Sequence, residues 1–137
     1  MQHYKQNYSF VRPSRKEIAS LMPTPQIDSY SFGRIAVDGQ GYLRDLIIYP
    51  DRVAEGWRRE KGHSVSPADL AGVIEARPEV LVIGLGLFGR VDVPAETLAA
   101  LRAASIEVIP EPTGQACDTY NRLREAHRVI AALHLSC

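Results

Sequence analysis

Apolar positions are not spread evenly along this chain; they gather into short runs separated by turn residues. The densest run, Val80-Leu81-Val82-Ile83, lies between Pro78 and Gly84, the pattern of a strand buried on both faces at the centre of a sheet. Before it, Ser66-Pro67-Ala68-Asp69 supplies an N-cap, a proline at the first helical position and an acid two residues on. Leu70, Val73 and Ile74 follow at helical spacing, so a short helix leads into the central strand. After it, Val93-Pro94 opens a second helix with Leu98, Leu101 and Ala104 on one face, and Ile106 to Ile109 reads as another strand. Strand, helix, strand implies a parallel pair joined by a right-handed crossover.

Upstream, two β-rich runs, Tyr30 to Val37 and Tyr42 to Tyr49, flank Asp38-Gly39, a hairpin signal. The second run ends in Leu46-Ile47-Ile48-Tyr49 and is stopped by Pro50, which places it inside the sheet. Asp51 to Ser64, with Trp57 among Arg52, Arg58, Arg59 and Lys61, reads as an irregular connection. Downstream, Pro112-Thr113-Gly114 starts the longest helix, capped by Thr113, with Ala116, Tyr120, Leu123, His127, Ile130 and His134 recurring every three or four residues. The predicted order is β-β-α-β-α-β-α. It describes a three-layer α/β domain over residues 28–137, a mixed sheet with helices packed on it. Residues 1–27 are polar, carry Pro13, Pro23 and Pro25, and hold one possible helical turn, Ser14 to Leu21; a mobile or draped arm is expected there.

Composition narrows the function classes. Sixteen basic residues balance sixteen acidic ones, and no basic run exceeds a pair, so the electrostatic footprint of a nucleic-acid binder is missing. No apolar stretch is long enough to span a bilayer. The N-terminus lacks a secretory apolar segment, so a cytoplasmic protein is expected, with a mitochondrial one as the alternative suggested by Lys5, Arg12, Arg15 and Lys16. Cys117 and Cys137 read as thiols in that setting. Four histidines, His3, His63, His127 and His134, make no close metal-ligand pattern with them.

Several stretches together resemble one family. They are Ser31-Phe32-Gly33-Arg34-Ile35, Val37-Asp38-Gly39, Asp45-Leu46-Ile47-Ile48-Tyr49-Pro50, the glycines after the central strand, Pro112-Thr113, Tyr120-Asn121 and the end Ala131 to Cys137. In their order and spacing they are similar to the adipogenesis-associated Mth-type domain family, a domain of unknown function whose mitochondrial members assist assembly of respiratory complex I, the NADH dehydrogenase. The resemblance implies a compact three-layer α/β fold and an assembly role, and it supplies no catalytic residue and no cofactor.

Candidate chemistry gathers at the glycines. Gly84-x-Gly86-x-x-Gly89 after a strand matches the dinucleotide spacing, but that fingerprint needs a helix starting within the loop, and here the next helix waits for Pro94. A structural turn is the favoured reading. Parallel neighbours bring their carboxyl ends together, so Gly84, Gly86, Gly89 and Arg90 should meet the helix start at Thr113, Gly114 and Gln115 on one rim. A small phosphate or carboxylate could bind there, although a plain helix cap explains Thr113 more simply. Cys117 and His127 stand ten residues apart on one predicted helix, too far to act together. Cys117 lies near that helix's start, where a thiolate is favoured, but a buried thiol is the commoner arrangement. Trp57, with Arg58 beside it, is expected either to plug the core or to anchor an interface. Two functions follow: a non-catalytic interaction or assembly module with protein partners, and a small-anion binder or enzyme at the glycine loop.

Overall fold

The computed structural model describes residues 24–137; the possible helical turn at Ser14 to Leu21 lies outside them. Eight strands form two sheets: β1 (Ile27–Ser31), β2 (Arg34–Val37) and β3 (Gln40–Tyr42) make a small antiparallel sheet. The larger sheet contains β4 (Leu46–Tyr49), β5 (Arg52–Glu55), β6 (Val80–Leu85), β7 (Glu107–Glu111) and β8 (Val129–His134) in the order β5-β4-β8-β6-β7. A 3-10 turn at Pro67–Leu70 leads into helix α1 (Ala71–Ala76), and α2 (Ala95–Ala103) and α3 (Thr113–Leu123) follow. β6 runs parallel to both β7 and β8, and β4 is antiparallel to β8. This is the expected α/β fold with a mixed sheet.

The alternation of the central strands makes the three layers. Val80 and Val82 of β6, with Val129, Ala131 and Leu133 of β8, face Ala116, Cys117 and Tyr120 of α3 and Ile27, Ile35 and Val37 of the small sheet. Leu81 and Ile83, with Ile130 and Ala132, face the opposite way, onto Leu70, Val73, Leu101, Ile106 and Trp57. Each large side chain buried this way contributes about 1.5–3 kcal/mol, so both faces of the sheet are needed to hold it.

The largest departure from the sequence reading is the last element. The helix ends at Leu123, and Val129–His134 is a strand inserted between β4 and β6. His127, Ile130 and His134 had extended the helical stripe by spacing. The run Val129 to Leu133 is apolar without a break and buried at every position, which only a central strand achieves. In the sheet Ala131 and Ala132 sit opposite Ile48 and Ile47 on one side and Val82 and Ile83 on the other.

The hairpin also divides. Asp38 and Gly39 take positive φ of 48° and 80°, the geometry of the tight primed turn, but this turn joins β2 to the short β3. Residues 43–45 then carry the chain into β4 of the other sheet. The segment read as irregular begins with an edge strand, β5, paired to β4 from Tyr49↔Arg52 to Leu46↔Glu55. Ser66 and Asp69 do form the reciprocal cap, whereas Pro112, not Thr113, is the N-cap of α3.

The described chain enters by being tied to α3. Tyr120 donates its buried hydroxyl to Pro25 O at 2.7 Å, Arg124 Nε donates to the same carbonyl at 3.1 Å, and Ile27 exchanges two hydrogen bonds with the Asn121 side chain. Tyr120→Phe removes one of the two donors on that carbonyl. It should cost about 0.5–1.5 kcal/mol in urea unfolding and speed exchange of the Ile27 amide; unchanged values in both measurements would mean that the hydroxyl does not hold this segment.

Candidate functional site

The carboxyl ends of β6 and β8 lie side by side, with Gly84 opposite Leu133 and Leu85 opposite His134. Because β4 is antiparallel to β8, its beginning, Asp45–Leu46, reaches the same rim, where ligands gather in open α/β sheets. The glycine bend and the start of α3 do meet there. Gly86 N–H donates to Thr113 Oγ1 at 2.9 Å, Thr113 Oγ1 donates to His134 O at 2.6 Å, and Thr113 N–H donates to Gly86 O at 3.0 Å.

The Thr113 hydroxyl therefore joins β6 to β8 instead of capping its own helix. The close approach allowed by the glycines is made by the chain itself. A Cβ on Gly84 would lie 2.8 Å from both Leu133 Cδ2 and Thr113 Oγ1. One on Gly86, at φ 94°, would lie 2.8 Å from Ser136 O and 3.0 Å from His134 Cδ2, and one on Gly89 would lie 3.3 Å from Pro112 Cγ. Gly114 and Gln115 are exposed at the first turn of α3, and Arg90 is exposed with its guanidinium 5.4 Å from the Phe88 ring centre.

A different group of polar side chains is buried on this rim. Asp45 accepts from Leu135 N–H at 2.8 Å through Oδ1, and its Oδ2 lies 3.0 Å from Arg59 Nη2 and 2.7 Å from His134 Nδ1. The Asp45 backbone carbonyl accepts from Gly56 N–H and Trp57 N–H, both at 2.8 Å. Arg59 lies over the Trp57 ring at 4.7 Å. Trp57 is buried and donates Nε1–H to Asp69 O at 2.9 Å, so of its two expected roles it takes that of core plug; Arg58 is exposed. Burial by itself raises the Asp45 carboxyl, but the hydrogen bonds from His134, Leu135 N–H and Arg59 prevail and hold it below the usual carboxylate range. Cys117 is buried under α3, where loss of solvent, with the Asp118 charge beside it, pushes its thiol up to about 12; it is an inert core thiol.

This cluster was not legible from the sequence. His134 is 75 residues from Arg59 and 89 from Asp45, and placing it on a helix turned it away from Asp45. The available signal was an Asp immediately before one apolar strand and a His at the last position of another.

The exposed large hydrophobics among the described residues are Phe32, Leu43, Leu87 and Phe88, and all four lie on turns attached to the chain just beyond β8. Gly33 N–H donates to Leu135 O at 2.8 Å and Leu87 N–H to Ser136 O at 2.9 Å, while Asp45, two residues after Leu43, holds Leu135 N–H. Among the described residues no three potential metal ligands cluster, and no helix is long and apolar enough to cross a membrane.

Comparison with known proteins gives a family and a fold. A family model described as a protein of unknown function (DUF498/DUF598) matches residues 27–134. Among solved structures, a conserved hypothetical protein from Pyrococcus horikoshii is 26% identical, with a TM-score of 0.75 over 82% of this chain and 99% of that one. The Rpa2829 protein of Rhodopseudomonas palustris is 27% identical, with a TM-score of 0.62 over 82% of this chain and 87% of that one. A Mth938-like domain from Bordetella pertussis, at 21% identity and a TM-score of 0.61 over 93% and 92%, shares the fold.

Two expectations follow from this geometry. Gly86→Ala forces a left-handed residue against Ser136 O and should cost about 1–3 kcal/mol, whereas Gly114→Ala, with open space around it, should be neutral or stabilising by up to about 1 kcal/mol; equal urea midpoints for the two variants would contradict the packed joint. Asp45, lowered on folding from a reference of 3.8, favours the folded state above that pH. Its contribution is lost as pH falls from 3.8 through its lower folded value. Asp45→Asn should therefore be less stable than wild type at pH 7, with the difference shrinking in that acid window; a gap that stays constant through it would refute the assignment.

Proposed function

The chain belongs to the DUF498/DUF598 family of proteins of unknown function, and we propose that it works as a non-catalytic protein-interaction module whose docking surface is the rim around the end of β8. One observation carries this reading: the exposed large apolar residues Phe32, Leu43, Leu87 and Phe88, 37% to 74% exposed, stand on three turns anchored to the same few residues. Exposed apolar groups scattered singly need no explanation, but several gathered at one place mark an interaction site.

The charges around them favour one kind of partner. Arg34, Arg44, Arg58 and Arg90 are exposed on these same turns and on the neighbouring segment. Arg44 is paired loosely with Glu55 at 4.0 Å. A self-contact about a two-fold axis would set these arginines against their own copies. The complementary occupant is a different protein presenting apolar side chains among acidic ones, which accords with the assembly role implied by the resemblance to the Mth-type family. The rim's hydrogen-bonded base keeps the turns fixed, so little ordering cost is left for binding.

The test uses a partner captured from the native host and then purified. Phe88→Asp and Leu43→Asp, both at exposed positions, should leave the unfolding midpoint within about 0.5 kcal/mol of wild type and each weaken that partner about 30-fold or more. Glu125→Lys, at the opposite edge beyond α3, should leave binding unchanged. Binding that survives both rim variants, or that is lost only in Glu125→Lys, would move the interface elsewhere.

A further inference from the structure

The buried cluster at Asp45 leaves two polar atoms over. Arg59 donates Nε–H to Gly62 O at 2.9 Å and engages Asp45 through Nη2, yet among the described residues its Nη1 has no hydrogen-bond partner, on a side chain only 6% exposed. His134 Nε2 is buried and finds no partner among the described residues either. The tautomer of that ring follows from the 2.7 Å between Nδ1 and Asp45 Oδ2. Two lone pairs do not approach so closely, so Nδ1 carries the hydrogen. Nε2 is then a bare acceptor in the neutral ring and a donor in the charged one. Buried polar atoms without partners are costly, and where native proteins keep them the reason is commonly functional.

We propose that Arg59 Nη1 and His134 Nε2 form a binding site for a small carboxylate, which enters together with one proton. The charges of Asp45 and Arg59 cancel, so an anion brought into this dry place needs one new positive charge, and the oriented His134 ring is placed to supply it. Arg59 Nη1 and the charged ring then offer one donor to each oxygen of a carboxylate. With Nε and Nη2 of Arg59 already engaged, a phosphate would find too few.

The other groups around the ring do not replace His134. His63 stands edge-on with its ring centre 6.1 Å away and its Nε2 3.1 Å from Cys137 O. Tyr30 donates its hydroxyl to Leu135 O at 2.8 Å, and burial raises that phenol, keeping it neutral. His63 and Cys137, both exposed, cover the ring from the solvent side, so a ligand must part them to enter, while Gly86 backs the far edge of the ring at Cδ2.

Trp57 is the only tryptophan and packs against Arg59, so its emission reports the site directly. The full chain is titrated with formate, acetate and phosphate between about pH 5 and 8, and long-range nitrogen–proton spectra follow the His134 ring. Formate and acetate should give saturable changes with dissociation constants on the order of millimolar. The His134 Nε2 resonance should move to its protonated position, and affinity should fall as pH rises, because each ligand bound takes up a proton. Arg59→Lys, which keeps the charge beside Asp45 but not Nη1, should abolish the change. His63→Ala, which leaves the three clustered side chains in place, should bind at least as tightly as wild type. No response to formate in wild type and in His63→Ala overturns the proposal, as does binding that is independent of pH or stronger for phosphate.

Discussion

The carboxylate of Asp45 is the tie on which one whole rim of this molecule depends. Strand β8 comes last in the sequence yet lies at the middle of the sheet, so its end must be fastened by residues made long before it. Asp45 does this with one oxygen on Leu135 N–H and the other shared between Arg59 and His134. It sits where β4 begins, and the pairing of Leu46 with Leu133 in the antiparallel ladder brings it level with the end of β8. A carboxylate only 18% exposed is tolerable with such a set of partners.

Everything on the rim is then held second-hand. Once Leu135 is fixed, its carbonyl accepts from Gly33 N–H and from the Tyr30 hydroxyl, and Ser136 accepts from Leu87 N–H. Three turns that share no sequence thereby acquire one common base, and their apolar tips can face solvent without collapsing onto the core. Thr113 adds the link from β6, receiving Gly86 N–H and giving its own proton to His134 O. The other edge is closed by different means: Arg128 donates Nη2–H to Ala76 O at 2.7 Å, ending α1, where Arg77 turns left-handed at φ 52°. That edge is concave, lined by Ile74, Pro78, Ala104 and Arg128, whereas the rim at Asp45 combines exposed apolar side chains with largely buried polar ones.

Local physics made much of this legible. Val80 to Ile83 declared itself as a central strand because a short apolar run, three of its four residues β-branched, stands between Pro78 and Gly84. Ser66 and Asp69 declared a helix start because their side chains satisfy each other's backbone within four residues. The meeting of the glycine bend with Thr113 followed from parallel strands alone. What escaped was decided at long range: Val129 to His134 carries both a helical spacing and an unbroken apolar run, and only the gap between β4 and β6 chooses between them. Asp45 and His134 show only that they border apolar strands, and Arg59 shows nothing, since their meeting waits until the sheet closes. Trp57 carried two roles equally from sequence, and the Asp69 carbonyl that receives its Nε1–H selects the buried one.

The most direct test of the tie is amide hydrogen exchange in Asp45→Asn, read residue by residue. If the carboxylate fastens the rim as described, the amides of Leu135, Gly33 and Leu87 should all exchange at least about tenfold faster, while those of Leu81 to Ile83 and of Ile130 to Ala132 keep their protection. Faster exchange at Leu135 alone, with Gly33 and Leu87 unchanged, would show that the three turns stand independently and that Asp45 does not hold them together.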